Sequence, residues 1–169
     1  MVTETNREKL PLPINVRLLR EEEIPGIARV YIDAFKSSNL DEKWTQASAE
    51  GLMRYWFTSQ PDLFFLATQG EKIAGGIVGG IKPWWDGPHL TDAELFIDPK
   101  FQNQKIGKQL VKTLLKTAVE KYQIVEFESV ADGKSEFPLE WYERIGIKRT
   151  NLAHIAGNPT EILKNLKQV

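Results

Sequence analysis

The first third of the chain alternates between strand-like and helix-like patterns of apolar residues. Partial alternation predicts a strand over residues 15–20, and three glutamates at 21–23 favour a helix start, because acidic side chains complement the positive end of the helix dipole. Apolar side chains then recur at helical spacing as far as Phe35. A second helix is predicted around residues 51–57, and it ends before Pro61.

Three strands separated by turn residues are predicted next. Residues 63–67 and 73–81 are mostly apolar, and the polar residues with glycine at 69–71 are typical of a hairpin turn. A second turn at 85–88 leads into another apolar segment at 93–97. We expect these three segments to pair as an antiparallel meander.

The remainder of the chain predicts three helices and two strands. A regular apolar stripe indicates a long helix over residues 106–122. A strand at 124–130, a helix at 136–145 closed by a glycine, and a strand at 147–151 follow. The last segment, 159–166, reads as a short helix. The order of elements is that of a mixed α/β chain.

Length and composition are those of one globular domain. The chain has 169 residues, of which 41% are hydrophobic and 27% charged. Residues 1–13 are mostly polar with two prolines, and we expect a flexible arm there, followed by a single domain over 14–169.

Charge and cysteine content exclude several classes of function. Lys and Arg total 22 and Asp and Glu total 23, so a net charge of -1 gives no electrostatic footprint for nucleic acid or for an anionic membrane. The absence of cysteine excludes disulfides, a thiol nucleophile and thiolate metal sites. No other metal-ligand spacing is present, so no metal is expected. The N-terminus lacks an apolar leader, which predicts a cytoplasmic protein.

The most informative segment is residues 98–110, where a strand ends, a polar loop turns and a helix begins. Helix N-termini present free backbone N–H groups and bind anions. Lys105, Lys108 and Lys112 crowd the first turns of this helix, where cations are unfavourable to the helix dipole, and a bound anion would relieve the mismatch. The alternative is a solvated lysine face on an ordinary helix, and charge pattern alone does not decide between them.

This segment resembles the acetyl-CoA motif of the GNAT superfamily of N-acetyltransferases, Gln/Arg-x-x-Gly-x-Gly/Ala. Gln102 fills the first position and Gly107 the last, whereas Lys105 replaces the middle glycine and Asn103 stands where glycine is frequent. The resemblance implies that the loop binds the pyrophosphate of acetyl-CoA. The residues that it assigns to the cofactor in this loop are Gln102, Asn103, Gln104, Lys105, Ile106, Gly107 and Lys108.

A second resemblance lies downstream, in residues 137–147. This segment is similar to the family's aromatic-Tyr-Glu-Lys-x-Gly-Phe sequence and places a tyrosine at Tyr142. Ser135 stands where the family often has an asparagine that binds the cofactor. The family's order of elements is matched from about residue 15 to 154. The implied fold is one mixed, mostly antiparallel twisted sheet of 6–7 strands with about four helices, followed here by a short C-terminal helix.

The resemblance implies direct attack of an amine on the thioester of acetyl-CoA. Glu94 is the candidate general base and Tyr142 the candidate general acid for the departing thiolate, since a phenol is protonated at neutral pH. Phe96 and Ile97 are expected to pair through their backbones with the pantetheine arm. The alternatives are a structural or solvated carboxylate at Glu94, with Asp92 as a competing base, and a packed aromatic at Tyr142.

The acceptor is expected to be a small-molecule or peptide amine, and a homodimer remains open. Four aromatic side chains are candidates for the acceptor wall, although aromatics at helical spacing more often belong to a core: Tyr31, Phe35, Trp44 and Trp56. The competing functions are a non-catalytic acyl-CoA-binding module and an unrelated binder of nucleotide phosphates.

Overall fold

The computed structural model describes residues 12–36, 42–133 and 136–166. These residues fall into two compact units that divide between Ser129 and Val130. Most of the predicted N-terminal arm, residues 1–11, lies outside the described residues. Leu12 lies beside the first hairpin, because its carbonyl accepts a hydrogen bond from Gln69 Nε2 at 2.9 Å.

The first unit contains one mixed five-stranded sheet. Its strands are β1 Ile14–Leu18, β2 Phe65–Gln69, β3 Lys72–Trp84, β4 Gly87–Ile97 and β5 Glu126–Phe127. They lie in the order β1-β2-β3-β4-β5. The pairs β1–β2, β2–β3 and β3–β4 are antiparallel, and β5 is parallel to β4. The predicted meander is therefore confirmed as β2-β3-β4.

Both units contain helices where the sequence predicts them. The first unit contains α1 Ile24–Lys36, α2 Gln46–Ser59 and α3 Ile106–Tyr122, and the second contains α4 Glu136–Arg144 and α5 Pro159–Leu166. Short 3-10 turns lie at Glu21–Glu23, Pro61–Leu63 and Pro99–Phe101. Among the described helices, none combines the length and apolar character that a bilayer crossing needs.

The apolar side chains of α1 and α2 form the core against one face of the sheet. Ile24, Ile27 and Ala28 of α1 are fully buried, as is Met53 of α2. Their partners from the sheet include Phe96 of β4. Removing such surfaces from water is the main favourable term in folding, worth about 1.5–3 kcal/mol for each large side chain. The same packing fixes how α1 and α2 face β4.

The sheet differs from the prediction at its far edge. The expected strand at 124–130 is reduced to Glu126–Phe127, and the described residues at 147–151 form no strand, so the sheet has five strands instead of 6–7. Both segments have residues that favour strands, but a strand also needs a partner edge. β5 pairs with His89 and Leu90 only and then leaves β4.

Candidate active site

The carboxylate of Glu94 lies on β4 and is held by side chains from two helices. Tyr31 Oη of α1 donates a hydrogen bond to Glu94 Oε2 at 2.7 Å, and Trp56 Nε1 of α2 donates to Oε1 at 2.9 Å. Glu94 is half-buried, whereas the two donors are buried. As the strand alternation predicts, Glu94 shares a face with Phe96, whose ring also contacts Tyr31.

Tyr31 is the centre of an aromatic cluster. Its ring centroid lies 4.4 Å from Phe35, 5.2 Å from Trp44 and 4.9 Å from Phe96. Burial raises the pKa of Tyr31 far above its ordinary value, and the charge of Glu94 and their hydrogen bond raise it further. The phenol therefore stays protonated and donates. Of the four predicted acceptor-wall residues, Tyr31 and Trp56 belong to the core, whereas Phe35 and Trp44 are only partly buried.

A β-bulge lies directly before Glu94. Val78 of β3 pairs with Glu94, and Gly80 pairs with Thr91. One residue lies between these paired positions on β3 and two lie between them on β4, so β4 carries one extra residue. Asp92 within the bulge has φ 53° and is exposed. Bulges re-aim side chains and are frequent beside active sites. The bulge was not predicted from the sequence, because it depends on how β3 and β4 pair.

Beyond the bulge, β4 has an open edge. Ser129 Oγ donates to the Ala93 carbonyl at 2.8 Å, and no described residue extends the sheet along Glu94–Ile97 on this side. β5 pairs with β4 at His89 and Leu90, so beyond these residues the edge of β4 has no strand partner in the described part of the chain. This gap leaves backbone groups of β4 available to an extended ligand.

The hydrogen bonds between β4 and β3 show which backbone groups of β4 face the gap. Asp98 N–H donates to the Ala74 carbonyl of β3 at 3.0 Å. Because backbone groups alternate sides along a strand, Phe96 also turns its N–H and C=O to β3, whereas Leu95 and Ile97 turn theirs to the open edge. Of the two predicted pantetheine partners, Ile97 therefore turns its backbone groups to the open edge and Phe96 does not, whereas Leu95, which was not a predicted partner, also turns its groups to that edge.

The loop after β4 is held in an unusual backbone conformation. Asp98 caps the 3-10 turn by accepting from Lys100 N–H at 2.8 Å. Asn103 and Lys105 then both adopt left-handed backbone angles, with φ 62° each, and Lys105 is the N-cap of α3. A lysine in this region costs about 1 kcal/mol, and such strain concentrates at functional sites. A left-handed angle also explains why the family prefers glycine at the position of Lys105.

The start of α3 leaves backbone N–H groups without partners inside the helix. Gln102, Gln104 and Lys108 are exposed beside them, and Ile106 is buried and anchors the helix. A Cβ atom built on Gly107 would lie 3.6 Å from Leu95 Cδ2, an ordinary contact. The protein's own packing therefore does not require glycine at position 107, which leaves ligand approach as a reason for it.

The second unit contains Tyr142 on α4. Its ring lies 5.2 Å from that of Trp141, and its carbonyl accepts hydrogen bonds from the N–H groups of Ile145 and Ile147. Burial raises the pKa of the Tyr142 phenol, which keeps it protonated at neutral pH. Ser135 lies outside the described residues.

Neither histidine contributes to a metal site among the described residues, where no group of three potential ligands occurs. His89 is buried, with Nδ1 2.6 Å from Glu128 Oε1 and Nε2 2.9 Å from Asp86 Oδ1. Burial lowers the pKa of His89, but the hydrogen bonds to the two carboxylates outweigh it and raise that pKa. The imidazole thus joins β4 to the segment that contains β5.

Comparisons with known proteins identify the family and the fold. The sequence profile of the Acetyltransferase (GNAT) family matches residues 24–147. The chain belongs to the GNAT acetyltransferase family, and its fold is the GNAT fold. No curated protein sequence matches the chain significantly.

Solved structures share this fold at low sequence identity. PH1933 from Pyrococcus horikoshii OT3 is 24% identical, with a TM-score of 0.70 over 85% of this chain and 94% of its own. The aminoglycoside N-acetyltransferase AAC(6')-Iy in complex with CoA is 13% identical, with a TM-score of 0.67 over 87% and 95%. An aminoglycoside acetyltransferase from an uncultured soil metagenomic sample, in complex with sisomicin, is 19% identical, with a TM-score of 0.61 over 86% and 95%.

Proposed function

We propose that the protein transfers an acetyl group from acetyl-CoA to a primary amine by direct attack. The observation that carries the proposal is the open edge of β4, which begins beside the Glu94 carboxylate and ends at the amides that start α3. An extended thioester ligand with a pyrophosphate at one end matches this order of groups. Family membership supports acyl transfer in general.

The residues present fit acetyl-CoA in two respects. The left-handed turns at Asn103 and Lys105 and the glycine at position 107 leave backbone N–H groups accessible to phosphate oxygens. The open edge offers the N–H and C=O groups of Leu95 and Ile97 to the amides of the pantetheine arm. In the proposal the side chains of Gln102, Gln104 and Lys108, with the backbone at Ile106, complete the loop.

The chemistry requires a base and an acid. Glu94, acting directly or through a water, takes the proton that the acceptor amine loses as its nitrogen attacks the thioester carbonyl. The carbon–sulfur bond then breaks, and Tyr142 donates a proton or a hydrogen bond to the thiolate. Positioned groups of this kind contribute about 10²–10⁴-fold each.

For the acceptor, we propose a small-molecule amine. Two of the structural neighbours are aminoglycoside acetyltransferases, which favours this class over a peptide amine. Glu94 and Glu42 place two carboxylates around the Tyr31 cluster, an environment that attracts a cationic amine.

Binding is tested first and turnover second. Calorimetry with acetyl-CoA should show a saturable site, and the melting temperature should rise with ligand concentration by mass action. An amine library is then screened for release of CoA thiol. Binding without turnover on any amine would favour a non-catalytic acyl-CoA-binding module, and no binding at millimolar acetyl-CoA would overturn the proposal.

A further inference from the structure

We infer that Tyr31 and Trp56 are positioning residues for the base, which hold the Glu94 carboxylate in one orientation for the acceptor amine. The inference rests on the proposed function. Neither side chain belongs to the acetyl-CoA motif, and the two come from separate helices that meet above β4.

The geometry fixes the carboxylate and still leaves it able to accept a proton. Tyr31 Oη and Trp56 Nε1 each bind a different oxygen of Glu94, at 2.7 and 2.9 Å, so the plane of the carboxylate is set from two sides. A carboxylate oxygen accepts more than one hydrogen bond. Each oxygen of Glu94 therefore keeps capacity for the acceptor amine or for an intervening water.

Burial makes the two donors dependent on the carboxylate. Tyr31 is 3% exposed and Trp56 is 7% exposed, and an indole N–H has no acceptor function with which to adapt. No buried side-chain polar atom among the described residues lacks a partner. Both buried donors therefore take their acceptor from Glu94, and the carboxylate is held by two helices at once.

Besides Glu94, Glu42 acts electrostatically on Tyr31, and it accepts a hydrogen bond from Trp44 Nε1 at 2.7 Å. On β4 itself, Asp92 is exposed in the bulge, and His89 is hydrogen-bonded to the carboxylates of Asp86 and Glu128. On β5, Glu126 is exposed.

Tyr31→Phe tests the inference, because it removes the hydroxyl and keeps the ring in its aromatic cluster. We expect kcat to fall by about tenfold, the order of one hydrogen bond to a charged group. The same substitution made in Glu94→Gln should change kcat little further, because its effect passes through the carboxylate. The dissociation constant for acetyl-CoA should not change. Tyr55→Phe is the matched control, since Tyr55 lies beside Trp56 but is 60% exposed, and its kcat should equal that of the wild type.

A second measurement does not depend on activity. The indole N–H resonance of Trp56, assigned by its loss in Trp56→Phe, should move in Glu94→Gln, where a neutral amide oxygen replaces the carboxylate as acceptor, and should stay in place in Tyr55→Phe. Wild-type kcat in Tyr31→Phe, or an equal loss of kcat with and without the Glu94 carboxylate, would show a purely structural role and overturn the inference. Absence of acetyl-CoA binding in the wild type would instead overturn the proposed function and leave the resonance test intact.

Discussion

At the scale of single residues, Glu94 is held by the core and is also accessible for its proposed chemical role. It accepts hydrogen bonds from the core, yet it is only half-buried and lies at the open edge of β4. The family resemblance singled out the residue, and strand alternation predicted the face that it shares with Phe96. Its two donors could not be identified from the sequence, because helical spacing shows which face of a helix is buried but not which side chain across the core it meets.

Glu94→Gln should lower turnover most at neutral pH and less at high pH. The amide keeps the shape of the side chain and removes the base, while at high pH more of the acceptor is already deprotonated. We expect a loss of about 10²–10⁴-fold near neutrality. Steady-state rates across pH measure it, with Asp92→Asn in the bulge as the control that should stay near the wild type. A change of less than about threefold at every pH would remove Glu94 from the mechanism.

Tyr142→Phe should lower kcat by about 10–10³-fold while leaving acetyl-CoA binding within about threefold. A donor to the thiolate strengthens only as charge develops on sulfur, so its loss acts on the transition state and not on the bound ground state. The raised pKa of the phenol keeps the donor proton in place at neutral pH. Single-turnover rates and calorimetry separate the two quantities. Wild-type turnover with every acceptor would identify Tyr142 as a packing residue.

At the scale of elements, the loop between β4 and α3 holds the strained backbone that the motif requires. The family motif was recognisable from Gln102 and Gly107, but the left-handed angle at Lys105 was not, because lysine does not favour it. The bulge at Asp92 and the short β5 escaped prediction for a related reason. Both depend on how two strands pair across the sheet, which local patterns do not contain.

Gly107→Ala should weaken acetyl-CoA binding without destabilising the protein. The added methyl has room beside Leu95, and alanine is the better helix former by about 0.5–1 kcal/mol, so the melting temperature should hold or rise. The same methyl obstructs the close approach of a phosphate to the backbone. Gly51→Ala in α2 is the matched control, since a Cβ there meets nothing within 4 Å. Calorimetry should show weaker binding for Gly107→Ala alone and a smaller effect for Lys105→Ala, whose charge is partly screened. Equal affinities for the two glycine variants would show that phosphate does not approach Gly107.

At the scale of the whole molecule, apolar periodicity was sufficient to predict the helices and the meander. Helix α3 has the predicted bounds, Ile106–Tyr122, and α5 covers the predicted final helix. The motif then connected that order of elements to a fold. The number of strands was wrong, because residues 147–151 have strand-like composition but form no strand in the described part of the chain.

The first unit also contains two carboxylates that tie distant elements together. Glu23, before α1, accepts hydrogen bonds from Arg17 of β1 at 2.6 and 2.8 Å, and these and those from Arg20 hold the pKa of Glu23 at about 2. Burial raises the pKa of Asp62, but hydrogen bonds from Lys121, Tyr122 and Gln60 outweigh it and lower that pKa to about 2. The ordinary values are 4.5 and 3.8, so both groups bind protons more weakly in the folded state.

Acid should therefore destabilise the protein over a defined window. Stability from Glu23 and Asp62 is fully present above their unfolded pKa values and is lost as pH falls from about 4.5 through about 2. Partial exposure of their partners screens the effect, and we expect a combined loss of ~1–3 kcal/mol in the free energy of unfolding. Urea unfolding across this pH range measures the loss.

Glu23→Gln and Asp62→Asn should each start less stable near neutrality and show a flatter acid dependence, because the group that binds the proton is gone. Glu71→Gln, in the exposed turn between β2 and β3, removes the same charge and should keep the wild-type slope. A wild-type slope in both variants would place the acid sensitivity in other carboxylates.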